Sequence, residues 1–135
     1  MPTQIIFNLF RQIKFILLSL AIGSLLIACQ SDTQQMVPTF KVSEISGKVL
    51  SQEDLKGKVS IINFWATSCT TCVKEMPEMI QTYNKYKMDQ LEFIAVAMSY
   101  DPPMYVVNFA KTRQLPFHVA MDSDGSVAKA FGKIQ

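Results

Sequence analysis

Residues 64–72 read FWATSCTTC and place Cys69 and Cys72 directly after an apolar run, residues 59–64, that is typical of a buried strand. Apolar side chains recur at helical spacing after the second cysteine, which predicts a helix there. Cys69 would then lie in the first helical turn, where free backbone N–H groups and the positive end of the helix dipole favour a thiolate. Because a thiolate attacks disulfides, and because Cys72 lies nearby on the same side of the helix, the stretch predicts a redox-active pair.

Further apolar runs predict the elements around this strand and helix. A second buried strand is expected at residues 91–98, and the crossover helix runs from Cys72 to about Lys87, bending or restarting at Pro77. A strand, a helix and a strand with a crossover of this length indicate a parallel βαβ unit. The remaining predicted elements are short strands at 39–42 and 48–50, a strand at 117–121, and helices opened by Asp101–Pro103 and spanning 127–131.

The first residues of the chain have the composition of a signal peptide. Residues 1–14 carry Arg11 and Lys14 and no acid, and an apolar segment follows at residues 15–27. A membrane-spanning helix needs about 20 apolar residues, so this shorter segment is more typical of a signal-peptide core. We therefore predict that residues 1–28 are a signal peptide.

The segment 26–29 reads LIAC and resembles the bacterial lipoprotein signal. The resemblance implies cleavage before Cys29 and attachment of lipid to its sulfur, which would anchor the chain to a membrane. A plain secretory signal, or an uncleaved anchor with an incidental cysteine, are the alternatives. Polar residues then predict a tether at 29–38 and a folded domain at 39–135.

The charge of the chain argues against a nucleic-acid partner. Arg11 and Lys14 account for two of the 13 basic residues, so the 11 basic residues that follow balance the 11 acidic ones. A basic surface patch is the usual sign of nucleic-acid binding, and a balanced domain does not favour one. We expect neither a cofactor nor a bound metal ion.

Residues 63–77, NFWATSCTTCVKEMP, resemble the thioredoxin-like fold and, within it, the membrane-tethered TlpA/ResA branch. The likeness extends over residues 37–135. It implies an α/β protein with a thioredoxin-like βαβ core and a short N-terminal β extension. It also implies a thiol–disulfide oxidoreductase that reduces protein disulfides in the bacterial cell envelope, facing the periplasm or extracytoplasmic space. Its electrons would come from a membrane thiol relay protein.

The resemblance also suggests roles for residues near the pair. Glu75 matches a position where this branch carries an acid, and a partly buried carboxylate there could exchange a proton with Cys72 and raise the pKa values of both thiols. A solvated helix glutamate is the alternative. Trp65 either shields the disulfide, forms a docking surface, or simply packs. Thr70 and Thr71 carry no charge, which favours a mild reductant over a strong oxidant. The single histidine, His118, is predicted to be structural.

The chain departs from this family pattern at its end. Thioredoxin-like proteins place a cis-proline beside the cysteines, followed by a β-hairpin and a final helix, whereas this sequence stops at residues 131–135, where that proline is expected. Pro116 comes too early to replace it. We therefore expect a C-terminally truncated domain that lacks the hairpin and helix and has an exposed sheet edge. An inactive or structural lipoprotein fragment, or a protein that binds metal through the C-x-x-C pair, are the alternative functions.

Overall fold

The computed structural model describes residues 36–132 and 134, so the predicted signal peptide, Cys29 and most of the predicted tether lie outside the described residues. The strands are β1 (Lys41–Glu44), β2 (Val49–Ser51), β3 (Val59–Trp65), β4 (Leu91–Ala97) and β5 (His118–Met121). The α-helices are α1 (Thr70–Tyr86), α2 (Pro103–Arg113) and α3 (Ser126–Ala130), and short 3-10 turns span Gln52–Leu55 and Lys87–Asp89. None of the helices described combines the length and apolar character that a membrane crossing requires.

The five strands form one mixed sheet in the order β2-β1-β5-β4-β3. Strands β3 and β4 are parallel and paired along their whole length, from Val59 opposite Leu91 to Trp65 opposite Ala97. Strand β5 continues the parallel part beside β4, and β1 joins it antiparallel, with β2 outermost. The parallel βαβ unit and the N-terminal β extension predicted from the sequence are therefore confirmed.

Both faces of the sheet are covered, which explains why β4 is apolar from residue 93 to residue 97 rather than alternating. Phe93, Ala95 and Ala97 face a cluster that contains residues of α1 and α2, whereas Ile94 and Val96 face a second cluster. The first cluster includes the buried residues Trp65, Met76, Val106, Ala110, Phe117 and Val119. The second includes Phe40, Val42, Leu50, Leu55, Ala120 and Val127.

Several predicted elements differ from the observed ones by one or two residues at their ends, and the helix after the cysteines also differs at its proline. Helix α1 is a single helix that continues through Pro77, so the predicted restart there does not occur. Strand β1 begins at Lys41 rather than Thr39. The backbone N–H of Phe40 donates to the Gln52 side chain at 3.1 Å, outside the strand ladder, and the ladder begins at the next residue, Lys41.

Strand β3 lies at one edge of the sheet. Over residues 36–132 and 134 its ladder bonds join it to β4 alone, and the exposed side chains Val59 and Ile61 lie on it. The open edge predicted from the sequence is thus present in the part of the chain that the structure describes.

Candidate active site

Cys69 and Cys72 lie at the junction between the end of β3 and the start of α1. The loop of residues 66–68 leaves the strand, and Cys69 is the N-cap residue of the helix, one position before the predicted first turn. The two cysteines form a disulfide whose Cα atoms are 5.3 Å apart. The backbone N–H of Cys72 donates to the Cys69 sulfur at 3.2 Å. The predicted pair is therefore assembled at the predicted place.

The helix end supplies the electrostatics that a thiolate needs. An N-cap side chain faces the unpaired N–H groups of the first turn, and the helix dipole adds partial positive charge there. The first turn of α1 carries no acidic residue that would oppose this field. Cys69 and Cys72 are both half-buried, whereas Thr70 and Thr71 between them are exposed. Cys72 also packs against the core cluster that contains Trp65 and Met76.

Trp65, four residues before Cys69, is a core residue. Its side chain is 1% exposed, and its ring centroid lies 5.1 Å from that of Phe109 on α2. The indole N–H has no hydrogen-bond partner among the described residues. The suggestion that Trp65 forms a docking surface is wrong, because the last side chain of β3 points into the core on the α1 side.

Glu75 lies on α1 one turn after Cys72 and is exposed. It lines a shallow groove beside β3, together with Glu78, Asn63 and Met79. The partial burial assumed for this carboxylate is therefore wrong. Its spacing of three residues from Cys72 remains, and this spacing keeps the two side chains on one helix face.

His118 is far from the disulfide. It begins β5, at the amino end of the parallel strands, whereas Cys69 follows the carboxyl end of β3. Its imidazole contacts Glu44 through Nδ1 and Glu92 through Nε2, the latter at 2.8 Å. Lys58 donates to Glu92 at 2.7 Å, and this hydrogen bond raises the pKa of the lysine. The contacts agree with the structural role predicted for the histidine.

Asp101 is a residue near the site that the sequence did not single out. It lies in the connection between β4 and α2, is 3% exposed, and accepts two hydrogen bonds from Thr67 in the loop before Cys69. With its neighbours Pro102 and Pro103, it predicted only the end of a strand and the start of a helix. The signal that was available was an acid in the connection after a buried parallel strand, where side chains of adjacent connections meet.

The described residues contain no group of three His, Cys, Asp or Glu side chains placed to hold a metal ion. In this part of the chain, the two sulfurs therefore have no further protein ligand beside them.

The redoxin family profile matches residues 32–135. The chain belongs to the redoxin family. It is 37% identical over 132 residues to the thiol-disulfide oxidoreductase ResA of Bacillus cereus, covering 93% of this chain and 76% of the relative. The ResA of Bacillus subtilis is 36% identical over 94 residues, which cover 70% of this chain and 52% of that protein.

Solved structures of thioredoxin-fold proteins are similar to this chain. A putative thioredoxin from Neisseria meningitidis superposes with a TM-score of 0.67 and 44% identity, covering 72% of this chain and 65% of that one. StoA from Bacillus subtilis gives a TM-score of 0.63 and 27% identity, with coverage of 74% and 75%. The predicted thioredoxin-like fold and ResA resemblance are confirmed, and this redoxin is a thiol–disulfide oxidoreductase.

Proposed function

We propose that this redoxin reduces disulfide bonds of proteins outside the cytoplasm while it is anchored to a membrane through Cys29. The observation that carries the redox part is the position of Cys69 at the N-cap of α1, bonded to Cys72 and facing its N–H group. A helix N-terminus favours the thiolate that attacks, and a second cysteine three residues later can release the product.

The proposed cycle begins with both cysteines reduced. The Cys69 thiolate attacks one sulfur of a substrate disulfide, which forms a mixed disulfide and releases the other substrate sulfur as a thiolate. Cys72 then loses its proton and attacks the Cys69 sulfur, which frees the second substrate thiol. The substrate gains two electrons and two protons, and the enzyme is left with the disulfide seen here. A membrane thiol relay protein would reduce the pair again.

The environment of the pair supports the direction of electron flow that we propose. Thr70 and Thr71 carry no charge and are exposed, so they add nothing to the thiolate stabilisation that the helix end provides. We expect a reduction potential near that of thioredoxin, about −270 mV, rather than near about −120 mV, the value of a strong oxidant. A potential below about −300 mV would instead indicate a fixed structural disulfide.

Serine substitutions test the assignment of the two cysteines. Cys69→Ser should abolish reduction of a protein disulfide by dithiothreitol-recycled enzyme, because the attacking sulfur is gone. Cys72→Ser should trap a mixed disulfide on Cys69, which non-reducing electrophoresis would detect. Cys29→Ser is the matched control and should keep full turnover. Full turnover in Cys69→Ser would reject the mechanism.

The membrane anchor is proposed from the LIAC segment, residues 26–29, together with the short apolar core before it. Several acyl chains on Cys29 would hold the chain stably at a bilayer surface, whereas one chain binds only marginally. In Cys29→Ser we expect the protein to leave the membrane fraction while its redox activity persists. An unchanged membrane fraction would contradict lipid anchoring at this cysteine.

A further inference from the structure

Asp101 is a buried carboxylate that the proposed cycle does not use. It lies in the connection from β4 to α2 and is 3% exposed. Burial of a charged carboxylate is unfavourable unless hydrogen bonds compensate for the lost water. One residue donates a hydrogen bond to each of its oxygens. The Thr67 N–H donates to Oδ2 at 2.6 Å, and the Thr67 hydroxyl donates to Oδ1 at 2.6 Å.

These two bonds belong to a set that fastens the β3–α1 loop. The N–H of Met98 donates to the carbonyl of Trp65 at 2.9 Å, and the N–H of Cys69 donates to the carbonyl of Ala66 at 3.0 Å. Asp101 itself is fixed by its N–H, which donates to Met98 at 3.0 Å. Strands β3 and β4 are parallel, so their carboxyl ends lie side by side. The connection after β4 can therefore hydrogen-bond to the loop that leads to Cys69 and hold it in place.

We propose that Asp101 is a positioning residue that acts through Thr67 to hold Cys69 at the N-cap of α1 in the reduced enzyme. The disulfide holds Cys69 in place while the pair is oxidised. Once it is reduced, the loop alone determines whether the sulfur stays opposite the N–H of Cys72. Charge-assisted hydrogen bonds to a buried carboxylate are suited to this task, since they are stronger than neutral ones. The proposal rests on the proposed function, in which the Cys69 thiolate is the attacking group.

The test measures the reactivity of Cys69 directly. In the full chain with Cys72→Ser, Cys69 is the only cysteine of the pair, and its alkylation by iodoacetamide is followed by peptide mass spectrometry across a range of pH. Thr67→Val removes the hydroxyl donor, and Asp101→Asn replaces one acceptor oxygen by an amide. Both should slow alkylation at neutral pH about tenfold, which corresponds to a shift of the reactivity profile by about one pH unit. Thr67→Ser keeps the hydroxyl and should restore the wild-type rate.

Asp122→Asn is a matched control for the loss of a buried carboxylate. Asp122 is 1% exposed and also accepts two hydrogen bonds, from the N–H groups of Val127 and Ala128 at 3.0 and 2.8 Å. These bonds cap α3 and do not involve the loop before Cys69. Asp122→Asn should lower the stability of the fold, measured by urea denaturation, and leave the alkylation profile of Cys69 unchanged.

Three results would overturn the proposal. The first is an unchanged alkylation profile in Thr67→Val, and the second is equal slowing in Asp122→Asn. The third is faster alkylation in Asp101→Asn, because the carboxylate would then act on the thiolate through its charge and not by holding the loop. If Asp101→Asn does not fold, the comparison of Thr67→Val with Thr67→Ser decides alone. Alkylation needs no turnover, so a failure of the disulfide reductase function would appear separately.

Discussion

Cys69 owes its chemistry to one backbone position. Its N-cap conformation, with φ of −82° and ψ of 99°, turns the sulfur toward the N–H of Cys72. Cys72 lies inside the helix and packs against the core, so its sulfur lacks this capping position. Two identical side chains three residues apart are therefore suited to different steps: Cys69 to attack and Cys72 to resolution.

Glu75 offers a test of how an exposed acid affects the resolving cysteine. A nearby negative charge disfavours a thiolate, so Glu75→Gln should move the pH profile of the resolving step to lower pH. The carboxylate is exposed, so the shift should be small and should shrink as salt is added. Stopped-flow measurement of mixed-disulfide release would follow this step.

Glu78→Gln is the control for this substitution. Glu78 lines the same groove and is also exposed. It lies six residues after Cys72, a spacing that places it on a different face of α1 from Cys72. Identical profiles for the two variants would show that proximity to Cys72 gives Glu75 no special effect.

Strand β3 delivers the cysteine pair and also forms an edge of the described sheet. Its sequence, VSIINFW, contains no charge and no proline, and these are the features by which edge strands usually avoid pairing with other chains. Val59 and Ile61 are exposed on this strand, at 69% and 37%. The element that positions the redox site is thus also the part of the described sheet most prone to association.

We expect a polypeptide limited to residues 30–135 to associate as its concentration rises, through the edge of β3. Ile61→Lys should reduce this association, because an exposed lysine on an edge strand opposes pairing. Ile45→Lys is the matched control, since Ile45 is 38% exposed but lies beyond β1. Sedimentation velocity over a concentration series would measure the effect. Equal behaviour of the two variants, or no association in the wild type, would contradict the role of this edge.

At the scale of the whole molecule, the parallel strands separate two polar regions. The connections that follow β3 and β4 both start at the carboxyl ends of the parallel strands, and they bring together Cys69, Thr67 and Asp101. His118 and its glutamate partners occupy the region where the parallel strands begin. The topology therefore places the histidine away from the redox pair, although nothing in its local sequence indicates this.

The sequence by itself determined the cysteine pair, the strand before it, the helix after it and the parallel βαβ unit. Each of these depends on local spacing: apolar runs, helical periodicity and three positions between two cysteines. The predicted signal peptide, tether and lipid anchor are also local patterns, and they stay predictions because residues 1–35 lie outside the described residues.

Only the tertiary structure decided which side chains are buried and which connections touch. Trp65 could have faced solvent by its sequence and is enclosed by α2, whereas Glu75 is exposed at the groove beside β3. The bond between Asp101 and Thr67 joins residues 34 positions apart. Such a contact depends on strand order and on a shared sheet edge, which are properties of the packed chain and not of any local segment.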